Sequence, residues 1–286
     1  MPANLEVMIV NKQSITASIV LFHSDAREIE KVIDCCRSSI LNVKIFLIDN
    51  SSNDNLKFLD NLDNVEYNFL GKNIGYGAAH NIAITKSQQQ LSKYHIVLNP
   101  DISFKPEILE QAFNYMESNT GVGMISPKII YPDGRPQYMC RMLPTPFDLI
   151  ARRFTPAFIR PIFKQSLNEY TLANLDYQKI HNIPNLPGSF MFLRNKALEE
   201  VGGFDVNFFM YLEDIDLTRR IHAKYDTIYY PEIEITHTLE QGSYKSGKLL
   251  KYHIQSALYY FKKWGWFFDE ERAKVNAILK KKLTNE

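Results

Sequence analysis

The first hundred residues alternate short apolar runs with amphipathic stretches. "ASIVLF" (17–22) is a compact apolar run bounded by polar residues, the pattern of a buried strand. Residues 26–39 place Ile29, Val32, Ile33 and Cys36 on one helical face. "KIFLID" (44–49), "VEYNFL" (65–70) and "YHIVLN" (94–99) read as three more strands. "GYGAAHNIAITKS" (75–87) reads as a helix rich in small residues, and Pro106 opens another at "PEILEQAFNYME". Strands alternating with helices imply right-handed crossovers and a mostly parallel sheet flanked by helices, an α/β fold. In such a sheet, ligands bind beyond the C-terminal ends of the strands.

The pattern changes after residue 120. "GMISPKIIYPDGRPQYMC" (123–140) holds two strand-like runs around a Pro-Asp-Gly turn. Residues 142–187 read as irregular, with six prolines. "GSFMFLR" (188–194) predicts a strand, 195–203 a helix ended by glycine, 213–224 a helix and "IEITHT" (233–238) a strand. The tail, 246–283, reads as largely helical. These breaks divide the chain into residues 1–243, with halves 1–120 and 121–243, and a helical extension, 244–286.

Composition narrows the class. The 286 residues carry a net charge of +1, which gives no bulk attraction to nucleic acid, and no nucleic-acid motif accompanies the local basic segments. Three cysteines, two of them adjacent, make no disulfide framework. The start lacks the layout of a signal peptide, and no run approaches the ~18 apolar residues of a membrane span. The expectation is a reduced, cytoplasmic protein.

The chemistry-bearing residues cluster at strand ends. Asp49 closes the second strand and Asp101 follows the fourth in "LNPD", so both fall at one sheet edge. Each also suits a turn cap. "GKNIGYGAAHNIAI" (71–84) is glycine-rich at a helix start, yet it is neither a dinucleotide fingerprint nor a P-loop. Asp101 can offer a hard cation a carboxylate, and His237 an imidazole that suits Mn2+ better than Mg2+. "FMYLEDIDLTRR" (209–220) sets Glu213, Asp214 and Asp216 behind an aromatic run. Adjacent Glu213 and Asp214 cannot point the same way. Asp216 and Arg219, three apart, are expected to pair.

In order along the chain, "LIDNSSND", "KNIGYGAAHNIAI", "LNPDI", "PGSFMFLRNKALEEVGGFDVNFFMYLEDIDLTRRI" and "THTLEQGS" resemble family 2 glycosyltransferases of the GT-A fold, in particular the rhamnosyltransferase-like branch. The resemblance covers roughly residues 16–265. It implies an inverting transferase that uses a nucleotide sugar. Phe22, Asp49, Asn73, Gly75, Asn81, Asn99 and Asp101 would then bind the donor. Asp214 would be the general base, supported by Glu213. Gly188, Ser189, Tyr211 and Arg219 would line the acceptor or sugar pocket. Asp101 and His237 would hold a divalent metal, Mn2+ or Mg2+. Asn99 stands where many relatives carry the first Asp of a DXD motif, which removes one carboxylate from the metal set.

The resemblance implies dTDP-L-rhamnose as donor and a polyprenyl-diphosphate-linked saccharide as acceptor. The same motifs admit UDP-galactose, UDP-glucose or a galactofuranose donor, and a catalytically dead sugar-binding scaffold subunit is the non-enzyme alternative. A nucleotidyltransferase is disfavoured, because "FHSDARE" after the first strand lacks that class's glycine-rich, arginine-containing loop. Residues 141–164 and 244–263 each hold five basic residues among aromatic and aliphatic ones. They predict peripheral contact with an anionic membrane on its cytoplasmic face. The tail aromatics suit a homo-oligomer contact as well.

Overall fold

The structure is a computed structural model that describes residues 14–149, 164–238 and 247–285. Much of the basic segment 141–164, and residues 239–246, lie outside the described residues.

Strands β1 (Ser14–Leu21), β2 (Asn42–Asp49), β3 (Val65–Phe69) and β4 (Tyr94–Leu98) form a parallel half-sheet in the order β3-β2-β1-β4. Helices α1 (Ala26–Arg37), α2 (Tyr76–Gln89) and α3 (Glu107–Ser118) connect or follow them. In α1, Asp25 caps the N-terminus by accepting from the Arg27 N–H at 2.8 Å, and Ile29, Val32, Ile33 and Cys36 are buried as their spacing predicts. The chain leaves β3 at one side of β1 and re-enters at β4 on the other. That reversal opens a crevice at the C-terminal ends of β1 and β4.

The second half of the sheet is not parallel throughout. β8 (Phe190–Arg194) runs antiparallel to both β4 and β6 (Val122–Ile130), and β9 (Asp226–His237) runs parallel to β6. The expectation of a mostly parallel sheet therefore holds for β1–β4, and the nine-stranded whole is mixed. β9 is also twice the length read from the sequence. Pro231 breaks the apolar pattern, but a register shift between Pro127 and Lys128 lets the strand bulge there and continue.

The remaining elements are β7 (His181–Asn182), α4 (Lys164–Tyr170), α5 (Asn195–Val201), α6 (Glu213–His222), α7 (Gly247–Trp264) and α8 (Glu270–Asn285). Two short strands escape the sequence reading: β7, in the stretch read as irregular, and β5 (Ile102–Phe104), antiparallel to β9, with Ile102 opposite His237. Three residues carry too little pattern to register, yet this pairing positions the site.

The extension packs against the body. Tyr260 and Phe261 of α7 join Phe208 and Leu212 in one buried cluster, and Leu279 of α8 joins another. Arg219 of α6 donates to both carboxylate oxygens of Asp269, at 2.8 and 2.7 Å, and to Glu271 at 2.9 Å.

Candidate active site

A cleft of about 360 Å³ opens where β1 and β4 end. Its walls include Val20, Phe22, Ser24, Glu28, Asn50, Asn73, Tyr76, Asn99, Pro100, Asp101, Met210 and Thr238. At one end, β5 and β9 bring together two residues far apart in sequence. The Thr238 N–H donates to the Asp101 carbonyl at 3.0 Å, and Asp101 Oδ2 lies 3.3 Å from His237 Nε2. The Asn99 amide lies 3.5 Å from the same nitrogen.

This donor set fits a cation shared with an anionic ligand. One carboxylate, one imidazole and a nearby amide offer oxygen and nitrogen within mutual reach. Among the described residues no cluster of three or more His, Cys, Asp or Glu side chains is placed to hold a metal. Phosphate oxygens of the ligand would have to complete the coordination. His237 Nδ1 is buried with no hydrogen-bond partner, so the orienting contact typical of a ligating imidazole is missing on that side.

The other end is built by the entry to α6. Tyr211 and Leu212 both have left-handed backbone, φ +71° and +65°, a conformation that side-chain-bearing residues hold only under constraint. This corner starts the helix at Glu213 and turns Asp214 toward β8. Asp214 Oδ2 accepts from the Gly188 N–H at 3.1 Å and Oδ1 from the Ile215 N–H at 2.9 Å. A Cβ on Gly188 would stand 3.0 Å from Asp214 Cβ, so the close approach depends on glycine.

Glu213 is buried, and its Oε2 has no partner. Burial first, and the neighbouring Asp214 second, push the Glu213 carboxyl well above the usual carboxylate range. Burial also raises Asp214, but its two backbone N–H donors and the helix N-terminus favour its charge. The pair therefore places its proton on Glu213 and its charge on Asp214.

Tyr76, which the sequence reading passed over, joins the two ends. Its hydroxyl lies 2.9 Å from Asn99 Oδ1 and 2.9 Å from the Gly188 carbonyl, donating to the pair of acceptors. Burial first, then the neighbouring carboxylates of Asp214 and Asp101, push its phenol up, so it remains a donor. The path Asp101–His237–Asn99–Tyr76–Gly188–Asp214 is thus continuous. Asn50 was also missed: it donates to the Gly75 carbonyl at 3.2 Å and accepts from the Ile74 N–H at 3.4 Å, fixing the loop before α2. Its place one residue after Asp49, at a strand end, was the available signal.

Four residues chosen from sequence line the cleft directly: Phe22, Asn73, Asn99 and Asp101. Gly188 and Asp214 adjoin it through Tyr76. The others are placed differently. Asp49 is buried and spends its oxygens on the Ser51 N–H at 2.8 Å and the Tyr67 hydroxyl at 2.5 Å, as a turn cap would. Asn81 accepts from the Phe204 N–H and donates to the Phe204 carbonyl, tying α2 to the "GGFD" loop. Gly75, at φ +98°, lets the backbone meet Phe209, whose carbonyl accepts from the Tyr76 N–H at 3.0 Å. Ser189 is buried with its hydroxyl unpartnered, and its carbonyl holds the Asn99 N–H at 2.9 Å. Tyr211 stacks on His253 of α7, with ring centroids 5.4 Å apart.

Arg219 is not in the cleft at all. It faces the extension, and Asp216 pairs instead with Arg220 at 2.8 Å and Lys263 at 2.7 Å. The reason is helical geometry. The i,i+4 partner Arg220 lies over Asp216, whereas Arg219 points to the side on which Asp269 sits.

Several known proteins are similar to this chain. An L-rhamnosyltransferase of Mycobacterium tuberculosis, named N-acetylglucosaminyl-diphospho-decaprenol L-rhamnosyltransferase, is 29% identical over 212 residues, 68% of this chain and 66% of its own length. The chain thus matches just under two thirds of that relative. Rhamnosyltransferase WbbL of Escherichia coli K12 is 25% identical over 252 residues, 85% of this chain and 90% of its own. Among solved structures, the mannosyltransferase PcManGT of Pyrobaculum calidifontis, bound to GDP-Man and Mn2+, overlaps 80% of this chain and 58% of its own at a TM-score of 0.55 and 14% identity. S. aureus TarS residues 1–349 overlap 79% and 60% at 0.53 and 13% identity. These overlaps establish the expected GT-A fold, and residues 18–202 match the family model Glycosyl transferase family 2. That match spans well over half of the chain, and the chain belongs to glycosyl transferase family 2.

Proposed function

We propose that the chain is an inverting glycosyltransferase that moves L-rhamnose from dTDP-β-L-rhamnose to a saccharide carried on a polyprenyl diphosphate, in assembly of a bacterial surface polysaccharide. The observation that carries this reading is the continuous polar path from Asp101, which lines the cleft, through Tyr76 to Asp214, which adjoins it. It sets a phosphate-binding end and a basic carboxylate around a single ligand.

In the proposed reaction, an acceptor oxygen bonds to the anomeric carbon as the carbon–oxygen bond to the diphosphate breaks on the opposite face, which inverts the centre. Asp214 takes the acceptor's proton. Its two N–H donors hold it ionised and aimed, and Glu213, keeping its own proton, adds no second charge. A divalent cation at Asp101 and His237 would offset the charge on the departing diphosphate. Tyr76 keeps Asn99 and Gly188, one from each end, at a fixed separation. Phe22, half-exposed at the mouth, offers its ring to the nucleotide base. The Phe209–Tyr211 segment walls off water and helps keep the carboxyl pair raised. We also take residues 244–286 to function as part of this transferase, since α7 and α8 support α6.

The test is release of nucleoside diphosphate from dTDP-rhamnose, UDP-galactose, UDP-glucose and a galactofuranose donor, with N-acetylglucosaminyl-diphospho-polyprenol as acceptor, with and without Mn2+ or Mg2+. The highest kcat/KM with dTDP-rhamnose is expected. Preference for another donor would transfer the assignment to that sugar. No acceptor-dependent release from any donor would overturn the enzymatic reading.

A further inference from the structure

The turn joining α7 to α8 exposes two adjacent phenylalanines: Phe267 is 81% exposed and Phe268 95%, beside the partly exposed Trp266. Single exposed apolar residues are ordinary, but a contiguous aromatic tip marks an interaction surface. Both ends of the tip are fixed. The Gly265 N–H donates to the Phe261 carbonyl at 2.9 Å, and the glycine's φ of +103° lets its backbone pass the Phe268 carbonyl, which a Cβ would meet at 2.4 Å. On the far side, Asp269 is buried in the grip of Arg219. The rings are therefore held outward by a rigid base.

The outer face of α7 continues this surface. Lys251, Ile254, Leu258 and Lys262 recur at spacings of three and four and are all exposed, while Tyr260 and Phe261 are buried on the other side. Among the lysines that sequence reading assigned to a lipid contact, Lys263 is turned inward, onto Asp205 and Asp216. A basic-apolar stripe ending in an aromatic tip has the chemistry of an interfacial segment on anionic lipid. A symmetric contact between two copies would set the lysines of this acid-free helix against each other. The inner face of α7 touches the cleft loop: Tyr252 packs on Phe209 with centroids 4.5 Å apart, and the Ser256 hydroxyl donates to the Met210 carbonyl at 2.8 Å.

We propose that the α7–α8 turn inserts Phe267 and Phe268 into an anionic lipid surface, with Lys251 and Lys262 meeting its headgroups. The proposal rests on the lipid-linked acceptor of the reading above, because it brings the cleft loop to the surface where such an acceptor is anchored.

The experiment is co-sedimentation of the full chain with vesicles of mixed phosphatidylglycerol and phosphatidylcholine, against vesicles of phosphatidylcholine alone. Wild type sediments with the anionic vesicles, and Trp266 emission shifts to the blue. Phe267→Ser/Phe268→Ser lowers the partition coefficient by about tenfold or more. Lys251→Gln/Lys262→Gln lowers it several-fold and flattens its salt dependence. Unchanged partitioning of the double-serine variant, or no sedimentation of wild type, overturns the proposal. So does a dimer, seen by light scattering, that the double-serine variant dissolves. A water-soluble acceptor analogue separates the two readings. If the double-serine variant still glycosylates it, the cleft is intact and any lost sedimentation belongs to the tip. If wild type binds vesicles but glycosylates nothing, the transferase reading fails and the tip stands.

Discussion

The first turn of α6 carries acids on two sides, and the two sides have opposite fates. Asp216 is fully buried and met by Arg220, Lys263 and the Trp264 indole N–H, all within 2.8 Å. Glu213 and Asp214, three and two residues earlier, face no cation among the described residues, and Asp214 receives only backbone N–H groups. Charge beside charge neutralises the first and makes it a strut between α6 and the extension. Charge without a counterion leaves the second pair raised, which is what the proposed proton transfer near neutral pH requires. Counterions, more than acidity or burial, separate a structural carboxylate from a chemical one here.

The largest expected effect falls on the side without counterions. Asp214→Asn should lower the transfer rate by about 10²- to 10⁴-fold, the usual worth of a positioned base, while dTDP-rhamnose affinity measured by calorimetry stays near wild type. Transfer at the wild-type rate would remove Asp214 from the reaction.

The paired side should answer in stability. Arg219→Met removes the nearer of the two arginines that meet buried Asp269, leaving Arg272 at 3.7 Å, and should cost about 3 kcal/mol in denaturant unfolding. Because Arg219 is outside the cleft, any protein that remains folded should keep its KM for the donor. A raised donor KM at unchanged stability would return Arg219 to the sugar pocket.

The pH dependence sharpens the contrast. In the proposed reaction Asp214 must be ionised, and its carboxyl is raised, so kcat/KM should fall on the acid side at a pH above the free aspartate value of about 3.9. Stability runs the other way. Glu213 is raised on folding, so its contribution is complete below the unfolded value of about 4.3 and is lost as pH climbs through the folded one. Glu213→Gln should flatten that decline in thermal melts across the same window. An equally steep decline in the variant would assign it to other groups.

The smallest effect belongs to the bridge. Tyr76→Phe removes one hydroxyl shared by Asn99 and Gly188, worth about 1 kcal/mol or roughly fivefold in kcat/KM. Asn99→Ala combined with it should cost less than the sum of the two, since both break the same contact. Strict additivity would mean that the tyrosine only packs.

The contrast also explains what could be read in advance. The β1–α3 region was legible because each element carries its own periodicity, and Ile29, Val32, Ile33 and Cys36 bury as spaced. Asp101, Asn99 and Asp214 were legible because strand ends and an aromatic-flanked acid pair are local signals, reinforced by a family resemblance. The partner of Arg219 was not, since Asp269 lies fifty residues on and only the docking of α8 brings it near. Tyr76 was hidden among small residues that looked like helix packing. β5 was too short to see, although it sets Asp101 against His237.

The left-handed corner at Tyr211 and Leu212 has a consequence for anyone redesigning this molecule. Glycine would adopt that backbone more cheaply than leucine, yet Leu212 is 4% exposed in the cluster with Phe208, Tyr260 and Phe261. Relaxing the bend would hollow out the seat beneath it, so gains in thermostability have to be sought elsewhere. Local comfort and catalytic aim are opposed at this one leucine.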